Sequence, residues 1–276
     1  MGDFDRYPPM HPFTAPGAGS PLRVVTLNTW KCDGAYRQRL HAMATQLRAL
    51  NPDVVALQES FASVDGRWDT ARHLAQAMGM GWVQVPARTK ARVCEGVAVA
   101  SHSGMALLSR WPIAQHTSMD LPSDPEDGER VALLCQLVVD GHRLTVANVH
   151  LTHLPAASAL RHRQLHAVLE HPWLHSLRQA AIVCGDFNAP LHADGLCEFV
   201  VPLGVWVDVA RAAGTPHKVT CPVAHGAGLD LDHVLARAGS PLRWHSAHVA
   251  LDHVDPIHGV WPSDHHALCV DGHWLP

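Results

Sequence analysis

The chain has 276 residues, 47% hydrophobic and 17% charged, with a formal net charge of −4. It can bury a sizeable core, in one large domain or two small ones. The acidic balance gives no support to a nonspecific grip on nucleic acid, which leaves only a local basic patch for that class of partner; and no apolar run is long enough to span a bilayer.

Residues 1 to 21 are rich in Pro, Gly and Ala and read as a flexible tail, without the basic region and apolar core of a signal peptide. From residue 22 to 276 no composition shift marks a second boundary, so the remainder is one domain. Leu22 to Leu27 is a strand. Leu40, Met43, Leu47 and Leu50 fall at helical spacing, which predicts a helix from about Ala35 to Leu50 that stops before Asn51-Pro52. Asp53 to Gln58 is a strand and Thr70 to Met78 a short helix. Gly104 to Ser109, Val131 to Val139 and Arg143 to Val149 are strands, the last two joined through Asp140-Gly141; Gln115 to Arg130 reads as an acidic loop. Ser158 to Glu170 is a helix. Ala181 to Cys184, Asp232 to Leu235, Leu242 to Val249 and Ala267 to Val270 complete the strands. Mixed hairpins and crossovers predict an α/β fold, a two-sheet sandwich flanked by helices in four layers, α-β-β-α.

Seven cysteines are scattered with no C-x-x-C spacing, and Cys135, Cys184 and Cys269 lie in apolar runs. That pattern fits buried thiols in a reduced, cytoplasmic compartment. Histidine occurs 23 times, so no single histidine is informative without context.

The richest segment is Ala181 to Ala189, AIVCGDFNA. In an extended strand, Asp186 and Asn188 would face the same way at its tip, a pair suited to a water or phosphoryl oxygen beside a hard cation. The competing reading is an Asx turn. Four other strand tips repeat the design: apolar runs end in Asn28, Glu59 and His150, and Pro262-Ser263 leads to Asp264-His265 before the last strand. Asp232 adds a sixth position, in an apolar-polar alternation. Polar groups at strand tips are typical of a site built on a rigid sheet.

LNTW around Asn28, PDVVALQES around Glu59, GMALLSRWPI, VANVHLTH around His150, GDFN, LDHVL and PSDHHAL follow one another in an order that resembles the endonuclease/exonuclease/phosphatase superfamily of metal-dependent phosphoesterases. The histidine at 150 is similar to the branch with deoxyribonuclease I, sphingomyelinases and tyrosyl-DNA phosphodiesterase. The resemblance implies Glu59 as the main ligand of a Mg²⁺ ion, or Mn²⁺ as a substitute, helped by Asn28 and reached by Asp264; such oxygen donors suit these cations. It implies that Asp186 orients or deprotonates the attacking water and that Asn188 holds the phosphoryl group or leaving oxygen. Asp232 and His265 would form a carboxylate–imidazole pair, with His265 as phosphate ligand or base, and His150 would bond a non-bridging oxygen. Whether Asp186 or His265 is the base stays open.

The sequence departs from the family at His233, where a Tyr is usual, and at Met105, where many relatives have Asn. The expected substrate is a phosphoester: a nucleotide, a small phosphodiester or a lipid headgroup. Arg130 and Trp261 are weaker candidates for substrate contact, and Ala212 to Gly228, with His217 and His225, is an expected active-site loop. The expected enzyme is a monomeric Mg²⁺-dependent phosphoesterase, a phosphodiesterase first and a phosphomonoesterase second. The alternatives are a nuclease or DNA-end-processing enzyme, and a non-catalytic, histidine-rich metal-binding protein of the same fold.

Overall fold

The computed structural model describes residues 21–176, 179–192, 195, 196, 198, 204–215, 218–222 and 228–275. Two six-stranded sheets face each other. The first has the order β11-β12-β1-β2-β4-β3 and the second β5-β6-β7-β8-β10-β9. The first contains β1 (Pro21–Asn28), β2 (Val54–Ser63), β3 (Gly81–Cys94), β4 (Val97–Ser109), β11 (Leu242–Ala250) and β12 (Ala267–Trp274). The second contains β5 (Ile113–Asp120), β6 (Val131–Val139), β7 (His142–His150), β8 (Ala180–Asp186), β9 (Trp206–Asp208) and β10 (Asp232–Arg237). Helices α1 (Tyr36–Leu50) and α2 (Thr70–Met78) cover the outside of the first sheet, and α3 (Ser158–Leu169) covers the second. This is the four-layer, single-domain sandwich the sequence predicts.

The central strands are buried on both faces, which is why they read as unbroken apolar runs. Successive side chains alternate between layers. Val24, Val54, Leu107, Leu133, Val146 and Ile182 pack between the sheets. Val25, Val55 and Leu57 point the other way, onto Leu40, Met43 and Leu47 of α1 and Leu74 of α2. Each such buried side chain contributes about 1.5–3 kcal/mol. Asn51 ends α1 in a left-handed conformation, its N–H bonding Leu47 O. Asp69 caps α2 by accepting from Arg72 N.

A polar bridge crosses the core. Asn148 of β7 donates to Leu57 O and Ala106 O of the opposite sheet, both at 2.9 Å, and accepts from Gln58 Nε2 at 2.7 Å. Gln58 in turn donates to Thr26 Oγ1. These bonds fix the offset of the two sheets directly below the strand tips.

Three sequence expectations change. The segment from Gln115 is not all loop: Ile113–Asp120 is edge strand β5, antiparallel to β6, mostly exposed and therefore without an apolar pattern. β3 is a 14-residue strand that the sequence reading lacks, for the same reason. β1 begins at Pro21, paired with His273, one residue inside the expected tail; the rest of that tail lies outside the described residues.

Candidate active site

Strand register assembles the second sheet's half of the site. Parallel pairing of β7 with β8 puts His150 beside Asp186, and antiparallel pairing of β8 with β10 puts Asp186 beside Asp232. Gly185 permits this approach: at φ 141° a Cβ would lie 1.9 Å from Val149 O, so only glycine fits. β8 ends at Asp186, and Asn188 is not carried on in the extended pleat. Its φ is 53°, its N–H bonds Asp186 Oδ1 at 2.8 Å, and its Nδ2 bonds Leu151 O at 2.9 Å. The Asx turn and the site are thus one structure, with the turn swinging Asn188 into the cleft.

The first sheet supplies the other half. Asn28 ends β1. Glu59 sits at a register shift of β2 against β4, with φ 53°. A bulge of this kind re-aims one side chain at the cost of local strain. Lys31 Nζ lies 2.8 Å from Glu59 Oε1. Asp264 and His265 precede β12, and their loop is tied to β1 by Ser263 Oγ, which donates to Asn28 O at 2.6 Å. Arg39, almost fully buried, donates to both Thr29 O and Pro262 O at 3.0 Å and clamps the two loops together.

The halves meet at Asp186. Its Oδ2 accepts from Asn28 Nδ2 at 3.0 Å and lies 3.4 Å from His150 Nε2 and 3.8 Å from His265 Nε2. His265 Nδ1 bonds Asp232 Oδ2 at 2.8 Å. A cleft of about 500 Å³ is lined by Asn28, Glu59, His150, Asp186, Asn188, Asp264 and His265. Asp232, fully buried, stands behind His265 rather than on the wall.

Electrostatics follow from burial and neighbours. Burial pushes the Asp186 carboxyl up to about 7, against the opposing pull of His265. Burial lowers His265, but the Asp232 and Asp186 carboxylates outweigh it and hold the imidazolium well above its usual range. His150 is held well below its usual range by burial and by the charges of Arg130 and Lys31, so it is a neutral hydrogen-bond donor. The Asp264 carboxyl is raised by burial, with the neighbouring Glu59 charge adding to it against the pull of His265.

A hard divalent cation fits this donor set. Asn28, Glu59 and Asp264 offer only oxygens from side chains that line one cleft. Repulsion between Glu59 and Asp264 is what such a cation relieves, and a Lys31 ammonium already rests on Glu59. The tightest cluster of possible ligand atoms is a different one, Asp186, Asp232 and His265 within 4.8 Å. Of its atoms, His265 Nδ1 is already bonded to Asp232 Oδ2 and Asp186 Oδ2 to Asn28 Nδ2.

Arg130, a weaker candidate in the sequence, does line the cleft, whereas His153, Arg88, Lys90 and Arg92 carried no clear signal. Arg130 and His153 converge on buried Asp127: Arg130 Nη2 is 2.6 Å and His153 Nδ1 2.7 Å from Asp127 Oδ1. Arg88, Lys90 and Arg92 of β3 line the same cleft, with Arg88 donating to Asp127 O at 3.3 Å; their period-2 spacing in ARTKARV was the available clue. Of the two departures, Met105 lines the cleft, whereas His233 is buried against Phe187 with Nε2 2.9 Å from Ala189 O. Trp261 stacks on His266, ring centroids 5.5 Å apart, and is not among the cleft-lining residues. His217 and His225 of the expected loop lie outside the described residues.

Residues 25–265 match the Endonuclease/Exonuclease/phosphatase family. The uncharacterized protein YbhP of Escherichia coli is 28% identical over 179 residues, which cover 60% of this chain and 66% of that protein. Among solved structures, D. rerio TDP2 complexed with a single-strand DNA product has a TM-score of 0.70 at 18% identity, covering 92% of this chain and 99% of that one. Bacteroides thetaiotaomicron mannosyl-6-phosphatase Bt3783 has a TM-score of 0.70 at 17% identity, covering 91% and 99%. At these identities the structural likenesses establish the fold.

Proposed function

The chain belongs to the Endonuclease/Exonuclease/phosphatase family, a family of phosphoric ester hydrolases, and from that premise we propose that it is a Mg²⁺-dependent phosphodiesterase, with Mn²⁺ as a working substitute. The observation that carries this reading is the convergence on Asp186 of Asn28, His150 and His265 from both sheets. Of the similar solved structures, one is TDP2 complexed with a single-strand DNA product and one is a mannosyl-6-phosphatase.

Asn28, Glu59 and Asp264 would hold the ion, which when bound polarises a phosphoryl oxygen and offsets developing charge. The chain's own groups account for the rest. A carboxyl that burial raises to about 7 is matched to proton abstraction at neutral pH, which supports Asp186 as acceptor of the attacking water's proton. His265, kept cationic by Asp232, donates to a phosphoryl oxygen instead of serving as base. His150, neutral, donates a hydrogen bond to a non-bridging oxygen as its charge grows. Asn188, fixed by Leu151 O, steadies the phosphoryl group or the leaving oxygen. Water attacks in line, the P–O bond to the leaving alkoxide breaks, and a phosphomonoester remains.

The substrate class is a nucleotide, a small phosphodiester or a lipid headgroup. No described helix is long and apolar enough to cross a membrane. Six described cysteines are free and buried, which supports a reducing, cytoplasmic setting; a monomer is the proposed state. The metal assignment is tested by calorimetric titration of Mg²⁺ and Mn²⁺ into metal-stripped protein. Wild type should bind, and Glu59→Gln should weaken binding by tenfold or more. Equal affinity in the variant would move the ion elsewhere and overturn the assignment.

A further inference from the structure

Five lysine and arginine side chains line the cleft, and they divide into two kinds. Lys31 is paired with Glu59 and Arg130 with Asp127. Arg88, Lys90 and Arg92 make no ion pair with any carboxylate among the described residues. They occupy alternate positions of β3, so all three project from one face at spacings of about 6.6 Å. Like charges at that separation repel, and a fold gains nothing by lining them up along a concave wall.

Their contacts hold them in place without neutralising them. Arg92 bonds Ser101 Oγ at 3.0 Å and Ser103 Oγ at 2.9 Å, and its charge is felt by Glu59. Arg88 donates to Asp127 O at 3.3 Å. The row therefore runs across the cleft from the Asp127 turn to the Glu59 end. Glu126 and Glu129 line the same cleft beside the turn that Arg88 touches, and none of the three β3 cations pairs with them.

We propose that the Arg88–Lys90–Arg92 face of β3 is a subsite for a second phosphate of the substrate, beyond the scissile one. The substrate is then a phosphoester with at least two phosphate groups, and a neutral or zwitterionic headgroup diester is disfavoured. This rests on the hydrolytic reading above for where the scissile phosphate lies, but not on turnover. Two paired cations and three unpaired ones share one wall system, and only the unpaired set needs an anion from outside.

The test is calorimetric binding to metal-free, full-length protein, so it does not depend on hydrolysis. One series compares thymidine 3′,5′-bisphosphate with thymidine 5′-phosphate; the other compares fructose 1,6-bisphosphate with fructose 6-phosphate. Wild type should bind the bisphosphate at least tenfold tighter in at least one series, and the series that responds tells a nucleotide source from a sugar source. In Arg88→Gln/Lys90→Gln, and in Lys90→Glu alone, that ratio should fall toward one, with Lys90→Arg restoring it. Both side chains are exposed, so folding should survive. Equal binding of mono- and bisphosphate by wild type in both series, or an unchanged ratio in the variants, overturns the subsite. A preference for bisphosphates in a protein that hydrolyses no phosphoester would keep the subsite and sink the phosphodiesterase.

Discussion

Asp186 Oδ2 meets the Asn28 amide at 3.0 Å, His150 at 3.4 Å and His265 at 3.8 Å, and the Asp186 side chain itself is fully buried. Burial raises this carboxyl from 3.8 to about 7. The stability this lends the metal-free protein is therefore fully present below about pH 3.8 and is lost as the pH rises through about 7. Asp186→Asn removes the ionisation. Thermal melts should find the variant close to wild type at pH 5 and more stable at pH 8, by at least about 2–4 °C, the shift for roughly 1 kcal/mol. The Lys31 ammonium occupies Glu59, so it competes with a divalent cation there. Lys31→Met should tighten Mg²⁺ binding several-fold in a calorimetric titration; weaker binding would make Lys31 a helper of the metal and not its rival. The strand-tip side chains were legible in the sequence because each ends an apolar run. Lys31 and Asp127 were not, because nothing local says which distant carboxylate or cation will meet them.

At the scale of elements, the site depends on how strands are registered. Gly185 lets β7 and β8 approach, and an added methyl would collide with Val149 O. Gly185→Ala should cost about 3 kcal/mol or more, seen as a lower melting temperature with activity lost alongside. Asn148 ties β7 to β2 and β4. Asn148→Leu would leave two buried carbonyls and the Gln58 amide without that partner, each worth about 1–3 kcal/mol. Denaturant melts should show a loss of at least about 2 kcal/mol; a neutral effect would mean that the bridge is dispensable. Both residues are visible in the sequence only as a polar and a small residue inside apolar runs. α1, α2 and the central strands were legible because burial on one or two faces dictates their patterns. β3 and β5 were not, because an exposed edge strand needs no apolar alternation; β3 is held by its hairpin with β4. The extended reading of Asn188 failed because a turn, not the pleat, brings it round.

The whole molecule places a cleft where the two sheets open, with Asn28, Glu59, Asp264 and His265 from one side and His150, Asp186 and Asn188 from the other. Neither sheet carries the chemistry alone, which is why the chain order of the motifs was more informative than any single motif. The net charge of −4 conceals a bipolar cleft, with β3 cationic and the Glu126–Glu129 rim acidic. Composition could not reveal that, because it sums over charges that the fold separates. Individual histidines have different settings: His142 stacks on Trp274 at 4.5 Å and His233 lies in the core, while His150 and His265 line the cleft. The deciding assay is hydrolysis of bis-p-nitrophenyl phosphate with Mg²⁺ or Mn²⁺, comparing wild type with Asp186→Ala. Turnover should need the metal and should fall by about a thousandfold or more in a variant that still folds. Turnover that persists in Asp186→Ala, or that needs no metal in wild type, would contradict the proposed function.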